Sequence, residues 1–409
     1  MIWLIVVLAV IGHLGIWAAI FNQIHATAFA RPKRKFLEKT ILMMVFLPMI
    51  YVAWIYWPWN WFGYELDFSS QRLPREMLTT PWQQVGNGLA LSQTSLIFYI
   101  CLCLPIGAVL IARWAYRKLT QLPTKRLTNH QTQSLDVRQS IRVRDFYHGW
   151  FAKMLGLIPI NQSHQLCLES YTFQLDLAEP FHGLKICHLS DLHLTGFIDR
   201  SYFTTCFQQI QSFEPDMIVI TGDLVDTDDC IDWLPELLGD LSAPMGKFFI
   251  LGNHDLRVKD QQRYLKQMES LGWIHLFQQP FVIKYQGGMI CLAGNELPWY
   301  RGADDFSLPA PKATNELRIL LSHSPDQIGW AKRFDFDLML AGHNHGGQIR
   351  FPIVGAVISP SHYGVKYASG TFEIENLLLH VSRGLSGDKP IRIGCPPEIG
   401  LITLMSDNG

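Results

Sequence analysis

Apolar residues follow two different patterns along the chain. Up to about residue 112 they form three long stretches, at about Trp3–Phe21, Thr40–Trp57 and Leu89–Ala112. Each stretch approaches the roughly 20 residues that an α-helix needs to cross the hydrocarbon core of a bilayer. From about Tyr171 onward the apolar runs are short and alternate with amphipathic segments. The pattern therefore predicts an all-α transmembrane region of three helices, followed by a domain of strands and helices.

The second part of the chain has the pattern of an α/β domain. Its short apolar runs are rich in the residue types that strands favour. Amphipathic segments such as Ser201–Phe213 and Asp260–Leu271 predict helices between several of these runs. We therefore predict a central core of strands flanked by helices. The predicted strands are Leu184–Ser190, Met217–Thr221, Phe248–Leu251, Met289–Ala293, Leu317–Leu321, Leu338–Ala341, Leu377–Val381 and Ile399–Leu404.

Charged residues between the apolar stretches predict how the chain crosses the membrane. The segment 31–39 is strongly basic, and the segment 113–126 contains bases and no acid, whereas charges nearly cancel in the loop after the second stretch. Basic loops stay in the cytoplasm. We therefore predict a multi-pass protein of the cytoplasmic (inner) membrane, with its N-terminus outside and everything after Arg113 inside. Four tryptophans fit an aromatic belt at the outer interface: Trp54, Trp57, Trp59 and Trp61.

These patterns divide the chain into a transmembrane region at 1–116, a connecting region at 117–170 and a catalytic domain at 171–409. The segment Gln121–Val143 is polar and basic, which is typical of a linker. The segment Asp145–Leu155 is amphipathic and fits either a helix on the membrane surface or an ordinary packing helix. Two alternatives stay open for the apolar stretches: a cleaved signal peptide ending near Ala28-Phe29-Ala30, and core helices of a soluble domain.

Net charge and cysteine spacing argue against two kinds of site, one for nucleic acid and one built from cysteines. A net charge of −1 gives no bulk attraction to nucleic acid, so we expect no nucleic-acid partner. The 8 cysteines are scattered without the spacing of a zinc knuckle or a redox pair, which indicates reduced structural thiols. Nothing in the sequence specifies an oligomeric state.

Six short polar blocks stand out in the second part of the chain, and most of them directly follow a predicted strand. Strand ends gather at one edge of an α/β sheet, and Asp, Asn and His are ligands that borderline divalent metals accept. The blocks therefore predict a metal site without thiolates, for which manganese, iron and zinc all fit, with manganese our first choice. The blocks are Asp191-Leu-His193, Gly222-Asp223, Gly252-Asn253-His254-Asp255, Ser322-His323, Gly342-His343-Asn344-His345-Gly346 and Ser382-Arg383-Gly384.

Spacing adds detail to this metal site. Asp191 and His193 are two residues apart, so on a regular strand their side chains would share a face. His343 and His345 have the same spacing, between glycines that allow backbone and phosphate to approach closely. The carboxylate of Asp223 is able to bridge two cations.

Residues 184–405 resemble the calcineurin-like metallophosphoesterase family. The family signature is D-x-H, G-D, G-N-H-D/E, a lone H and G-H-x-H, and every element is present in order. The C-terminal part is similar to the membrane-associated bacterial phosphoesterase subgroup. That similarity rests on residues 342–348, Ser382-Arg383-Gly384 and Cys395-Pro-Pro-Glu-Ile399.

The resemblance implies a double β-sandwich flanked by helices, with two divalent metal ions at the sheet edge. A hydroxide that bridges the two ions would attack a phosphoester or pyrophosphate bond in line. His254 would protonate the leaving oxygen and Asp255 would orient His254, whereas Asp226 is either a supporting residue or a solvated loop acid. By motif, the first metal would be held by Asp191, His193, Asp223 and His345, and the second by Asp223, Asn253, His323 and His343.

Three functional hypotheses follow. The first is a membrane-anchored phosphohydrolase acting on a lipid-linked phosphate at the cytoplasmic face, for example on the pyrophosphate of a UDP-diacylglucosamine. The second is a phosphodiesterase or phosphoprotein phosphatase that acts on soluble substrates, with the membrane serving only as an address. The third is a non-catalytic scaffold, which the complete ligand set disfavours.

Overall fold

A computed structural model of the chain describes residues 2–29, 31–56, 82–120, 124–141, 146–176, 179–277, 279–300, 306–308 and 312–406. The chain divides into two compact units, one formed by residues 1–24 and 29–121 and the other by residues 25–28 and 122–409. Each unit is described separately below.

The first unit is helical. Its helices are α1 (Ile2–Ala26), α2 (Arg31–Tyr56) and α3 (Trp82–Thr120). Two segments, Trp3–Ala26 and Ile97–Thr120, are long and apolar enough to cross a membrane. We predicted three such segments; the remaining one, 40–57, runs on to Trp57, outside the residues that the structure describes, and is not among the two found. Three of the four tryptophans of the predicted aromatic belt, at positions 57, 59 and 61, also lie outside the described residues.

Close helix contacts hold the first unit together. A methyl group added at Gly12 of α1 would overlap the carbonyl of Cys103, and one added at Gly107 of α3 would overlap that of Leu8. Small residues at such points let two helix backbones approach, as is common in membrane bundles. His13 joins all three helices, because its Nδ1 lies 2.9 Å from the Tyr99 hydroxyl and its Nε2 lies 3.0 Å from the Val45 carbonyl.

The second unit contains two large sheets. The first sheet has the strand order β1-β2-β15-β3-β4-β5-β6 and the second β13-β14-β10-β9-β8-β7. The strands are β1 (Leu127–Asp136), β2 (Gln165–Leu175), β3 (Leu184–Leu189), β4 (Met217–Thr221), β5 (Lys247–Ile250), β6 (Trp273–His275), β7 (Phe281–Tyr285), β8 (Gly288–Asn295), β9 (Glu316–Ser322), β10 (Leu338–Ala341), β11 (Arg350–Phe351), β12 (Gly355–Ala356), β13 (Gly370–Ile374), β14 (Leu377–Val381) and β15 (Glu398–Ser406). All eight predicted strands are present, as β3, β4, β5, β8, β9, β10, β14 and β15.

Helices cover the outer faces of both sheets. They are α4 (Gly149–Gly156), α5 (Arg200–Gln208), α6 (Leu234–Leu238), α7 (Gln261–Ser270) and α8 (Ile328–Arg333). Alternation along β4 shows the layering, because Met217 and Val219 face the core between the sheets while Ile218 and Ile220 face the helices. Two inner sheets between outer helices confirm the predicted α/β class.

The predicted linker is wrong for residues 127–136. These residues form β1, which pairs antiparallel with β2 at the edge of the first sheet. Most of its side chains are exposed, so the strand shows no alternation of apolar and polar residues that the sequence could have revealed. The division of the chain at residues 116 and 170 stays a prediction, whereas the compact second unit begins near residue 122.

Pairing between β1 and β2 can be tested at Gln131, whose side chain is exposed. The Val137 amide donates to the His164 carbonyl. Hydrogen-bonded pairs in an antiparallel ladder recur at every second residue. The Gln131 amide should therefore donate to the carbonyl of its partner Ser170. Replacing Gln131 by proline removes this donor. We expect a cost of about 1–3 kcal/mol, seen as faster hydrogen exchange in β2.

The matched control is Gln131→Ala, which removes the same side chain but keeps the amide. It should change stability by no more than about 0.5 kcal/mol. Equal exchange rates for the two variants would mean that residues 127–136 do not pair in the sheet.

Candidate metal centre

The site lies where strands of both sheets end. Strands β3, β4 and β5 run parallel in the first sheet, and β9, β10 and β14 run parallel in the second. Parallel strands present their carboxyl ends at one edge, where α/β proteins place their ligands. All six polar blocks identified in the sequence begin within a few residues of one of these strand ends.

The backbone at the site does not continue the strands. Five predicted ligand residues have a positive φ between 45° and 69°, a left-handed conformation that residues other than glycine seldom adopt. Our expectation that Asp191 and His193, like His343 and His345, share the face of a regular strand is therefore wrong. Each side chain is directed by a local left-handed turn that a buried neighbourhood enforces. The five residues are Asp191, His193, Asp223, His343 and His345.

One group of donor atoms gathers around Asp191 and Asp223. The Nε2 atoms of His193 and His345 are 3.1 Å apart. Asp191 Oδ1 is 3.4 Å from His345 Nε2, and Asp223 Oδ2 is 3.5 Å from His193 Nε2. These four side chains form a cluster that could hold a metal ion.

A second group gathers on the other side of Asp223. His323 Nε2 lies 3.1 Å from Asn253 Oδ1, 3.2 Å from His343 Nδ1 and 3.3 Å from Asp223 Oδ2. The same oxygen, Asp223 Oδ2, therefore contacts both groups. The structure thus brings together all seven residues that the sequence predicted as metal ligands.

Hydrogen bonds at Nδ1 orient three imidazoles. The Nδ1–H of His193 donates to Asp226 Oδ2 at 2.9 Å and that of His323 to the Thr221 carbonyl at 2.7 Å, while His345 Nδ1 lies 3.2 Å from the Ser386 carbonyl and 3.3 Å from Arg392 Nη2. In each ring Nε2 is then the nitrogen that faces the site, as in metal-binding histidines. Without a metal, the charged His193 ring donates its Nε2–H to His345 Nε2 at 3.1 Å, and a cation would take the place of that proton. The residues present therefore fit divalent metal ions, and their oxygen and imidazole donors suit manganese, iron or zinc.

Buried carboxylates make the site negatively charged, which favours the binding of a cation, and the pKa values of the histidines reflect this charge. Burial alone lowers the pKa of a histidine, yet nearby carboxylates raise the pKa of His193 and of His323 to about 9. Asp226 contributes most to this rise at His193, and Asp223 at His323. In contrast, burial and neighbouring charged imidazoles lower the pKa of His343 and His345, which keeps these two rings neutral and able to bind metal.

Asp226, rather than Asp255, orients His254. The Nδ1–H of His254 donates to Asp226 Oδ1 at 2.6 Å, while the other oxygen of Asp226 accepts from His193. The predicted orienting role of Asp255 is therefore wrong. Burial also excludes the alternative that Asp226 is a solvated loop acid. Proximity in sequence pointed to Asp255, but its carboxylate is hydrogen-bonded to backbone amides instead.

Asp255 instead holds the backbone of two blocks together. One of its oxygens accepts from the amides of Asp223 and Gly252, at 2.9 and 2.7 Å. The other accepts from the amides of Leu224 and Val225 and from the Tyr264 hydroxyl, each at 3.1 Å. Burial and the Asp223 charge raise the pKa of Asp255 to about 7.

Sequence reasoning missed Arg257 and Asp388. Arg257 Nη1 donates to Asp226 at 2.7 Å and to Asp388 at 2.6 Å, and its Nη2 lies 3.0 Å from His254 Nε2. The arginine thereby connects the His254–Asp226 pair to Asp388, whose side chain is half-exposed. Arg257 ends a short 3-10 turn and Asp388 lies in a loop, and neither belongs to a motif, so only the spatial arrangement reveals them.

The block Ser382-Arg383-Gly384 supports the site from behind. Gly384 has φ 77° and packs against Asp191, where any added side-chain carbon would collide with the Asp191 Cβ. Arg383 forms buried ion pairs with Glu169 of β2 and Glu398 of β15. The block therefore anchors the turn beside Asp191 to the first sheet.

Comparison with known proteins identifies the family. The family model for calcineurin-like phosphoesterase matches residues 184–347. The metallophosphoesterase YkuE of Bacillus subtilis is 32% identical over 266 residues, which cover 62% of this chain and 90% of that protein. The chain is a calcineurin-like metallophosphoesterase. It is therefore a hydrolase, and the resemblance inferred from its motifs is confirmed.

Two further relatives of this metallophosphoesterase have named activities. The phosphodiesterase YaeI of Escherichia coli is 29% identical, over 59% of this chain and 88% of that protein. The UDP-2,3-diacylglucosamine pyrophosphatase LpxG of Chlamydia muridarum is 28% identical, over 53% of this chain and 82% of that protein.

Close packing at Gly342 offers a test of the metal centre that leaves every ligand in place. A methyl group at Gly342 would overlap Ser190 Oγ and Asp191 Oδ2. We therefore expect Gly342→Ala to displace the Asp191 carboxylate and to weaken metal binding about 10- to 100-fold, measured by titration of the metal-free full chain.

Gly329→Ala is the control, because that position in α8 has no atom near the new methyl group. Its metal affinity should equal that of the parent, and helix propensity should add up to about 1 kcal/mol of stability. Unchanged metal binding in Gly342→Ala would show that Asp191 is not a ligand.

Proposed function

We propose that this protein is a membrane-anchored, dinuclear metal-dependent phosphohydrolase. It cleaves a phosphoester or pyrophosphate bond in a lipid-linked substrate at the cytoplasmic face of the inner membrane. The observation that carries the proposal is the position of Asp223 Oδ2 between two groups of inward-facing donor atoms. One carboxylate oxygen in that position suits two neighbouring cations.

The ligands are assigned by these two groups. One ion would be held by Asp191, His193, Asp223 and His345, and the other by Asp223, Asn253, His323 and His343. When bound, such ions would supply activation of a water molecule and stabilisation of the attacking and leaving oxygens of an in-line displacement. The surrounding hydrogen bonds keep the imidazole nitrogens directed inward, so that little rearrangement is needed on binding.

His254 supplies the proton to the leaving oxygen. Its ring contacts that of His193 edge to face, with centroids 4.4 Å apart, so it stands beside the first group without belonging to it. Asp226 accepts from Nδ1–H, so Nε2 is the nitrogen left to exchange a proton with the substrate. Arg257 Nη2 lies 3.0 Å from Nε2, and its guanidinium would turn to a bound phosphate when Nε2 carries the proton.

A lipid-linked substrate is supported by two observations. The chain contains two helices long and apolar enough to cross a membrane. It is also similar to a protein named as a UDP-2,3-diacylglucosamine pyrophosphatase. Basic segments beside the helices support a cytoplasmic catalytic unit, because positively charged loops stay inside. A third span near residues 40–57 is part of this topology.

A soluble substrate is the second candidate. The chain is similar to a protein named as a phosphodiesterase, and that name specifies no lipid. In that case the helices would locate the enzyme at the membrane without taking part in substrate recognition. The two candidates share the metal centre and differ only in what surrounds the phosphate.

Comparing esters whose leaving groups differ in basicity tests whether His254 is the proton donor. We expect His254→Gln to slow hydrolysis of an alkyl phosphodiester by about 10²–10⁴, because an alkoxide needs a proton to leave. Hydrolysis of bis(p-nitrophenyl) phosphate should fall far less, because p-nitrophenolate leaves without one. The measurement is kcat for both esters at a saturating metal concentration.

His148→Gln is the matched control, since this exposed histidine pairs with Asp199 outside the site. Both rates should stay at the parent value. Metal content should be unchanged in both variants. An equal loss of both rates in His254→Gln would contradict a role in proton delivery.

Substrate class is tested with the purified full chain in detergent micelles. We expect hydrolysis of UDP-2,3-diacylglucosamine to exceed that of UDP-glucose and of bis(p-nitrophenyl) phosphate in kcat/KM. Chelation with EDTA should abolish all activity, and manganese, iron(II) or zinc should restore it. Equal turnover of lipid and soluble substrates would favour the second candidate, and activity that survives chelation would exclude the metal mechanism.

A further inference from the structure

Helix α4 and the turn after it present an unusual apolar surface. Trp150 is 78% exposed and Leu157 81% exposed, with Met154 and Ile160 also exposed. Spacings of four and three residues place Trp150, Met154 and Leu157 on one side of the helix and its end. The opposite side is anchored, because Ala152 is fully buried. The exposed apolar side is therefore displayed by a fixed element.

A second apolar surface surrounds the hairpin of β11 and β12. Ile353 at its tip is 78% exposed, and the flanking Phe351 and Val354 are more than half exposed. The hairpin extends directly from the block that contains His343 and His345. Val357 and Ile358 continue the exposed apolar run after it. Apolar side chains clustered in this way mark binding surfaces rather than ordinary solvent-facing positions.

The two surfaces flank one segment, residues 388–394. On one side, Asn161 Nδ2 donates to the Pro390 carbonyl at 2.9 Å. On the other, Gln348 Nε2 donates to the Ile391 carbonyl at 3.0 Å. The segment begins at Asp388, which binds Arg257 at the metal centre. We call the exposed apolar residues of 150–160 and 351–358 together the apolar rim.

The two stretches of sequence that contain the apolar rim carry basic and no acidic residues. The stretches 146–168 and 345–370, which contain the rim, have no aspartate and no glutamate. They contain Lys153, Arg350 and Lys366 instead, and Lys389 lies 6.0 Å from the ring of Phe151. Two acids near these stretches are already paired, Asp199 with His148 and Asp388 with Arg257. An apolar surface with lysines beside it suits an anionic partner that also offers an apolar interior.

We propose that the apolar rim docks the catalytic unit onto an anionic lipid bilayer. Tryptophan, branched aliphatic residues and adjacent lysines are the composition of elements that lie in the headgroup region. The same chain carries two helices able to cross a membrane, so a bilayer is the apolar partner at hand. Docking places a lipid headgroup beside residues 388–394, near the metal centre. That this position helps catalysis rests on the proposed function, whereas docking itself does not.

Docking is tested with the full chain reconstituted in vesicles of phosphatidylcholine and phosphatidylglycerol. Cys101 is replaced by serine, because the other cysteines are buried in the described structure. A single cysteine with an environment-sensitive fluorophore is then placed at Leu157, at Ile353 or, as control, at exposed Gln262 of α7. Quenching by nitroxide-labelled lipid and by aqueous iodide is measured at each position.

We expect lipid-borne nitroxide to quench the fluorophore at 157 and 353, and iodide to quench it several-fold less there than at 262. Equal access of iodide to all three positions would overturn the proposal. Protection from iodide without quenching by lipid would also overturn it, because the rim would then contact protein, such as a second copy of the chain.

The double variant Leu157→Asp, Ile353→Asp connects docking to turnover. We expect kcat/KM for UDP-2,3-diacylglucosamine in vesicles to fall about tenfold, the equivalent of 1.4 kcal/mol, with bis(p-nitrophenyl) phosphate hydrolysis unchanged. Loss of both activities would contradict a role limited to docking. If the parent protein does not cleave the lipid, the proposed substrate fails, while the quenching result still decides docking.

Discussion

The carboxylate of Asp223 is the group on which the arrangement of the whole site depends. Its Oδ1 accepts the amide hydrogen of His254 at 2.7 Å, which leaves Oδ2 to face both groups of imidazoles. Its own amide is held by Asp255, and Gly222 before it turns at φ 89°. A side chain at Gly252 would collide with it. Four of the polar blocks therefore meet at one side chain, and any shift of that side chain would move both groups together.

The fold makes this concentration of buried acids tolerable. Asp191, Asp223, Asp226 and Asp255 are all buried, and a buried carboxylate without partners would be very costly. Each of them accepts hydrogen bonds from backbone amides, imidazoles or an arginine at the strand ends. The two packed sheets supply a rigid edge from which these donors project. The outer helices contribute little to the site directly, apart from Tyr264 of α7, but they bury the faces that keep the strands in register.

The parts that could be predicted from the sequence are those with a local signature. Buried strands such as β4 and β10 are continuous apolar runs, and the polar blocks after them identify the strand ends. Three features have no such signature. An exposed edge strand like β1 looks like a polar linker, and a left-handed turn at Asp191 cannot be distinguished from a strand by spacing. The partner of His254 depends on which of two nearby acids faces it, and the neighbour in sequence, Asp255, is used for the backbone instead.

The double contact of Asp226 has a consequence for how such a site can evolve. One carboxylate binds an imidazole of the candidate metal centre, His193, and also the imidazole assigned to proton transfer, His254. A substitution that altered the basicity of one ring would therefore alter the other, so metal preference and leaving-group preference cannot drift independently through this residue. Among the described residues, Asn253 and His343 contact His323 and make no hydrogen bond to Asp226. Specialisation toward a new metal would be expected to begin at those two positions, where a change leaves the proton donor untouched.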